Sequence, residues 1–184
     1  THAYIDNSAV VSADGNVLVT ASDVTDSDLV AGAVGIGTGA AGVSGSVGVT
    51  SITKDTQAYI DSGAQVDARA NGDTVTVFDG SLASDGSFGT TTARGVVVSA
   101  VSTEDVLAVG AAGGGGLYAG VAGAVTVEVI DSNTLAFIGS GAKVNQNNVG
   151  AHGDQDVTVT AVNDVKLLGI DGSVGGAAFA GVSG

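Results

Sequence analysis

LVAGAVGIGTGAAGVSGSVGV, residues 29–49, alternates small and aliphatic side chains for about twenty positions without a charge or a proline. The same texture returns 78 residues later as LAVGAAGGGGLYAGVAGAVTV, residues 107–127. The two copies align without a gap. Leu29 falls on Leu107, Gly32 on Gly110, Gly35 on Gly113, Gly42 on Gly120, Gly45 on Gly123 and Val49 on Val127. A third, shorter copy covers residues 168–184, where Gly181-Val182-Ser183-Gly184 matches Gly120-Val121-Ala122-Gly123. Glycine at seven of the 21 positions makes a poor helix, spanning or otherwise. The apolar residues recur every second position, the period of a strand. Fixed-period self-similarity of this kind identifies a repeat architecture.

Working outward, each copy follows a shorter shared motif. His2-Ala3-Tyr4-Ile5-Asp6-Asn7-Ser8-Ala9-Val10 aligns with Gln57-Ala58-Tyr59-Ile60-Asp61-Ser62-Gly63-Ala64-Gln65-Val66. Both align with Leu135-Ala136-Phe137-Ile138-Gly139-Ser140-Gly141-Ala142-Lys143-Val144. This reads as a short strand, a tight turn, and a second short strand. A polar turn follows, then a Val/Thr strand, a short acidic turn, and the Gly-Ala-Val run. The repeats start near residues 3, 58 and 136, in steps of 55 and 78. The longer step is read as one extra strand-turn-strand coil at about residues 79–95, since Val75-Thr76-Val77 and Val96-Val97-Val98 resemble each other 21 residues apart.

These features predict an all-β chain, a parallel β-helix or β-solenoid of degenerate Gly/Ala/Val-rich repeats, forming one segment over residues 1–184. Residues 1 and 184 both fall inside repeats, so the expectation is an internal slice of a longer array. Repeat arrays add modules of roughly 20–45 residues, whereas a globular domain accepts loops of any length. Coils stacking at about 4.8 Å would place apolar residues inward and polar ones outward. Tyr4, Ile5, Tyr59, Ile60, Phe137 and Ile138 are the expected core or near-core positions.

Composition narrows the function classes. Glycine supplies 31 of 184 residues, and Pro, Cys, Met and Trp are absent. The abundance of Val, Ile and Thr argues against disorder, and glycine lacks the strict third-position spacing of collagen. Net charge is −14, and the five bases Lys54, Arg69, Arg94, Lys143 and Lys166 are scattered. Binding to nucleic acid or to anionic lipid through a basic patch is excluded on that ground, and no membrane insertion is expected. Without cysteine there are no disulfides, thiolate metal sites or cysteine nucleophiles.

Candidate chemistry is sparse. Gly37-Thr38-Gly39-Ala40-Ala41-Gly42 matches G-x-G-x-x-G formally, but no helical pattern follows, and Gly39 becomes Leu117 in the second copy. His152, Asp154 and Asp156 lie close together in a polar turn, and Asp154 and Asp156 are the candidates for calcium. Asp23, Asp26 and Asp28, like Glu104 and Asp105, are read as further acidic turns. No EF-hand loop is present, so solvated turns are the simpler reading and no cofactor is assigned. His2 replaces Gln57 and Leu135 of the sister repeats and reads as a surface position. No Ser/His/acid set is found, no catalytic residue is assigned, and no enzyme activity is expected.

The recurring Ala-Tyr-Ile-Asp…Gly-Ala-x-Val motif, the Val/Thr strand and the Gly-Ala-Val run resemble the repeats of very large bacterial surface proteins. These are the filamentous haemagglutinin-like and leukotoxin-type filamentous adhesins, secreted by autotransporter or two-partner routes. The resemblance covers essentially the whole chain and brings no catalytic motif. It implies a parallel β-helix shaft that is extracellular and held at the cell surface. Partners would be neighbouring repeats of the same chain or identical chains, and a host or bacterial cell surface. The alternatives are a self-assembling extracellular filament subunit and a glycan-binding or glycan-degrading β-helix. The scarcity of aromatic residues counts against the last.

Overall fold

A computed structural model describes residues 1–178 and 181–183. Phe179, Ala180 and Gly184 of the third Gly-rich copy lie outside the described residues. Among the described residues the chain is all-β, with 74% in strands and no helix. In order the strands are β1 (His2–Ile5), β2 (Val10–Ala13), β3 (Val17–Ile36), β4 (Ala41–Ile60), β5 (Gln65–Ala68) and β6 (Val75–Leu82). They continue with β7 (Phe88–Ala93), β8 (Gly95–Gly116), β9 (Ala119–Ile138), β10 (Lys143–Val144), β11 (Asp156–Ala177) and β12 (Gly181–Ser183).

Outside the β6–β7 pair, sequence neighbours do not pair and repeat equivalents do. One sheet has the order β1-β4-β9-β12, a second β10-β5-β2, and a third β11-β8-β3. β1 lies parallel to β4 with Ala3 opposite Ala58 and Ile5 opposite Ile60, and β2 lies parallel to β5 with Val11 opposite Val66. β10 is parallel to β5, with Val144 opposite Val66, and β12 is parallel to β9, with Gly181 opposite Gly120. The offsets of 55, 78 and 61 residues are those at which the sequence repeats itself. Parallel pairing requires a long crossover between partners, and here each crossover passes through the other two sheets.

Compactness divides the chain into two units. The first comprises Thr1–Val24, Lys54–Thr103 and Ser132–Asp164. Its core draws on all three sheets: Val19 and Ala21 of β3, Ala58 and Ile60 of β4, Val66 and Ala68 of β5, and Val96, Val98 and Ala100 of β8. Ile5, Val11, Ala136, Ile138 and Val144 pack against this cluster from the first and third repeats. The middle repeat is the most enclosed, and Ile60 and Val66 have no exposed surface.

The turn after each short first strand explains the Ser/Gly column of the motif. Ser8, Gly63 and Gly141 are equivalent, and their φ angles are 59°, 70° and 73°. A left-handed backbone suits glycine, and serine tolerates it at a cost.

Two expectations need correcting. The residues expected as an extra coil at 79–95 fold otherwise. β6 and β7 form an antiparallel hairpin in a sheet of their own, with Val77 opposite Thr91 and Phe78 against Phe88. The resemblance of Val75-Thr76-Val77 to Val96-Val97-Val98 reflects a shared preference for strand, and only β8 takes the place beside β3. The hairpin instead covers the outer face of β8, where Val77 and Ala93 bury Val97. Nor does the chain turn at Asp23–Asp28 or at Glu104–Asp105, because β3 and β8 run straight through both segments. Asp26, Asp28 and Asp105 point to solvent on alternate positions, so the strands need not break to hydrate them.

The second unit comprises Thr25–Thr53, Glu104–Asp131 and Val165–Gly184. Its inward positions carry the smallest side chains: Ala31, Ala33 and Gly35 on β3, Gly42, Ser44, Ser46 and Gly48 on β4, and Ala108, Gly110, Ala112 and Gly114 on β8. The facing backbones approach so closely that a Cβ on Gly35 would overlap the Val43 carbonyl, and one on Gly114 of β8 would overlap that of Val121. Ser44 and Ser46 donate across the narrow gap to the carbonyls of Gly113 and Ala111, at 2.6 and 3.0 Å. Val106 is enclosed among them, but most of the unit's valine occupies the outer positions, where Val30, Val34, Val43, Val47 and Val49 are each at least 65% exposed. The expected aliphatic interior with a polar exterior is therefore inverted in this unit.

Two substitutions test these assignments by chemical denaturation. Ile60→Ala is expected to cost about 2–5 kcal/mol, as for other enclosed aliphatic residues. Gly63→Ala is expected to cost about 1–2 kcal/mol for its left-handed backbone, whereas Gly153→Ala, with open space around it, should leave the midpoint unchanged.

Candidate functional surfaces

The clearest surface feature is a column of rings. Tyr4, Tyr59 and Phe137 occupy equivalent positions on β1, β4 and β9. Tyr4 stacks on Tyr59 at 5.2 Å between centroids with planes 8° apart, and Tyr59 on Phe137 at 4.9 Å and 2°. Tyr4 is 55% and Phe137 39% exposed. The six residues expected as core thus split by strand parity. Ile5, Ile60 and Ile138 face inward, and the adjacent rings face outward, because successive side chains leave a strand on opposite sides. Burial and the neighbouring Tyr4 raise the pKa of the Tyr59 phenol above its usual value. The rings spend their faces on each other, so they form a brace along the stack and leave little platform for a sugar.

Beneath the same strands lies an inward polar group that the motif reading missed. The parity that buries Ala58 and Ile60 also turns Thr56 and Lys54 inward. The Lys54 ammonium lies 2.8 Å from Asp23 Oδ1 and donates to the Thr103 carbonyl at 3.2 Å. The Thr1 hydroxyl donates to Asp23 Oδ2 at 2.7 Å. Asp23 is consequently held below its ordinary pKa, first by the hydrogen bond from Lys54 and then by that from Thr1. Nearby, Ser132 Oγ lies 3.4 Å from Ser102 Oγ and 3.5 Å from Asn163 Oδ1. Counting positions back from Ile60 in twos is the signal that would have found Lys54.

The calcium candidates sit in a turn that is already internally bonded. Asp154 N–H donates to His152 Nδ1 at 3.1 Å, His152 N–H to the Arg69 carbonyl at 2.8 Å, and Asp156 N–H to the Arg94 carbonyl at 2.9 Å. A polar hollow there is lined by Thr74, Thr92, Arg94, Asp154 and Asp156. The Arg94 guanidinium, anchored on the Ala70 and Gly72 carbonyls, shares that hollow with the two carboxylates. Among the described residues, no group of three or more His, Cys, Asp or Glu side chains is arranged to hold a metal ion. In the hairpin, hydrogen bonds first from the Ser81 and Ser87 hydroxyls and then from their N–H groups, at 2.8 and 3.0 Å, hold the Asp79 and Asp85 carboxyls below their usual pKa. These aspartates shape turns. His2, on the surface, bonds Asp55 at 3.0 Å.

Gly37, Gly39 and Gly42 flank the connection from β3 to β4. Gly37 N–H donates to the Gly115 carbonyl at 2.8 Å, and no helix follows to cradle a phosphate. No family model matches the chain, and neither the curated proteins nor the solved structures contain a match to it.

The Asp23–Lys54 pair gives a pH prediction. A carboxyl with a lowered folded-state pKa contributes stability that is present above its ordinary value of 3.8 and is lost as pH falls through the lower folded value. Asp23→Asn is therefore expected to be less stable than the wild type at neutral pH. The difference should close as pH drops below 3.8; a difference independent of pH would refute the ionised pair.

Proposed function

We propose that the chain is a segment of a β-solenoid serving as the structural shaft of an extracellular bacterial adhesin or surface fibre, which holds an attachment or cell–cell contact region away from the cell. The observation that carries this reading is the stacking of like on like. Ala3 on Ala58, Ile5 on Ile60, Tyr4 on Tyr59 and Tyr59 on Phe137 repeat one cross-section along one direction. Such an object extends by adding copies, and its stability is a sum over neighbouring repeats. The acidic composition favours this use, since self-repulsion keeps a long repetitive body dispersed. The aromatic column and the inward hydrogen bonds fix the register, which a load-bearing stack requires. Nothing in the candidate surfaces favours catalysis over this mechanical role.

Pulling the chain by its two ends in a force experiment is expected to release it in steps of one repeat, 55–78 residues, or about 180–280 Å of contour length. One event releasing the whole chain would count against a stack of separable repeats. Gold-labelled antibodies to the chain should decorate intact source cells at a distance from the membrane, and labelling confined to the cell interior would overturn the surface role.

A further inference from the structure

The outer face of β4 and β9 in the second unit is the feature that a shaft by itself does not need. Its outward residues are Val43, Gly45, Val47, Val49 and Ser51 on β4, and Val121, Gly123, Val125, Val127 and Val129 on β9. The two strands are offset by 78, so Val43 stands beside Val121, Gly45 beside Gly123, Val47 beside Val125 and Val49 beside Val127. The face therefore carries ridges of valine separated by a groove floored with glycine. No charged residue occurs from Ala41 to Thr53 or from Ala119 to Val127. All seven valines are at least 42% exposed. At roughly 50–80 Å² apiece they present on the order of 400–500 Å² of aliphatic surface. With the backbone and small residues between them, the face approaches the ~800 Å² that each partner contributes to a standard stable interface.

We infer that this face is a self-association surface, and that its occupant is the same face of a second copy of this chain. Three observations select that occupant. The face carries no ionic group and offers only hydroxyls at its border, so a charged or sugar ligand finds no orienting partner. The ridge-and-groove relief admits a two-fold contact. An axis between the Gly45–Gly123 and Val47–Val125 rows seats the Val47–Val125 row of each copy over the glycine groove of the other and sets its Val43–Val121 row against the other's Val49–Val127 row, an isologous contact. The area approaches what a stable dimer needs. The groove also has room to receive a side chain: a Cβ added at Gly123 meets nothing within 4 Å, and one at Gly45 meets only the Gly123 carbonyl at 3.7 Å. Hydrocarbon lipid is a poorer occupant, because sheet edges beside the face would carry unpaired backbone groups into it. This pairing runs sideways from the sheets, separate from the stacking of repeats, and it stands whether or not the chain is a surface shaft.

The experiment is sedimentation equilibrium of the full chain, with circular dichroism to verify folding, for the wild type, Gly123→Leu and Val47→Asp. The wild type is expected to dimerise reversibly, and Val47→Asp to remain monomeric. Gly123→Leu separates groove docking from general stickiness. It fills the groove and should weaken the dimer at least tenfold, although it makes the face more apolar. Tighter association of Gly123→Leu, association unaffected by both substitutions, or a wild type that stays monomeric throughout the micromolar range would each overturn the proposal. So would wild-type chain that floats with phosphatidylcholine vesicles as a monomer.

Discussion

Everything in this structure depends on parallel pairing between equivalent residues of successive repeats. Once Ala3 is fixed opposite Ala58 and Val11 opposite Val66, a strand period of two decides the side on which every neighbouring residue falls. A slip of one residue would expel Ile60 from the core and bring the rings inward. The register is accordingly marked many times: by the Tyr4–Tyr59–Phe137 column, by the left-handed turn at Ser8, Gly63 and Gly141, and by cross-repeat hydrogen bonds such as Asn145 Oδ1 accepting from Ala68 N–H at 2.9 Å.

The same pairing rule gives opposite results in the two units because side-chain size sets how far apart the sheets stand. In the first unit the inward positions are Val, Ile and Ala, and a conventional aliphatic core results. In the second many of them are Gly, Ala and Ser, which allow the backbones to approach and leave most valine on the outside. Removing apolar surface from water contributes little to the second unit in isolation. Its cohesion leans on backbone pairing, serine bonds across the gap and close dispersion contacts.

The inward Lys54 shows what the interior tolerates. Burying an ammonium costs free energy unless it is paired and hydrogen-bonded, and here Asp23 and the Thr103 carbonyl supply both. The pair adds less to net stability than an apolar replacement of similar volume could. It does penalise any register that separates the two residues, since an unpaired charge would then remain buried.

The sequence by itself determined the all-β class, the repeat offsets and the turn columns. These are local or periodic properties: alternation every second residue, glycine where φ is positive, and self-similarity at fixed spacing. Parity also separates Tyr59 from Ile60, because neighbours in a strand cannot share a face. Only the tertiary structure decided which parity faces inward at each place. That choice depends on the spacing of the opposing sheet, and no window of residues 29–49 contains it. It also decided that residues 75–93 fold back as a hairpin, since strand propensity is the same for parallel and antiparallel partners. And it turned the acidic segments from turns into straight strands, because Asp26 and Asp28 find solvent and Asp23 finds Lys54 only once the sheets have formed.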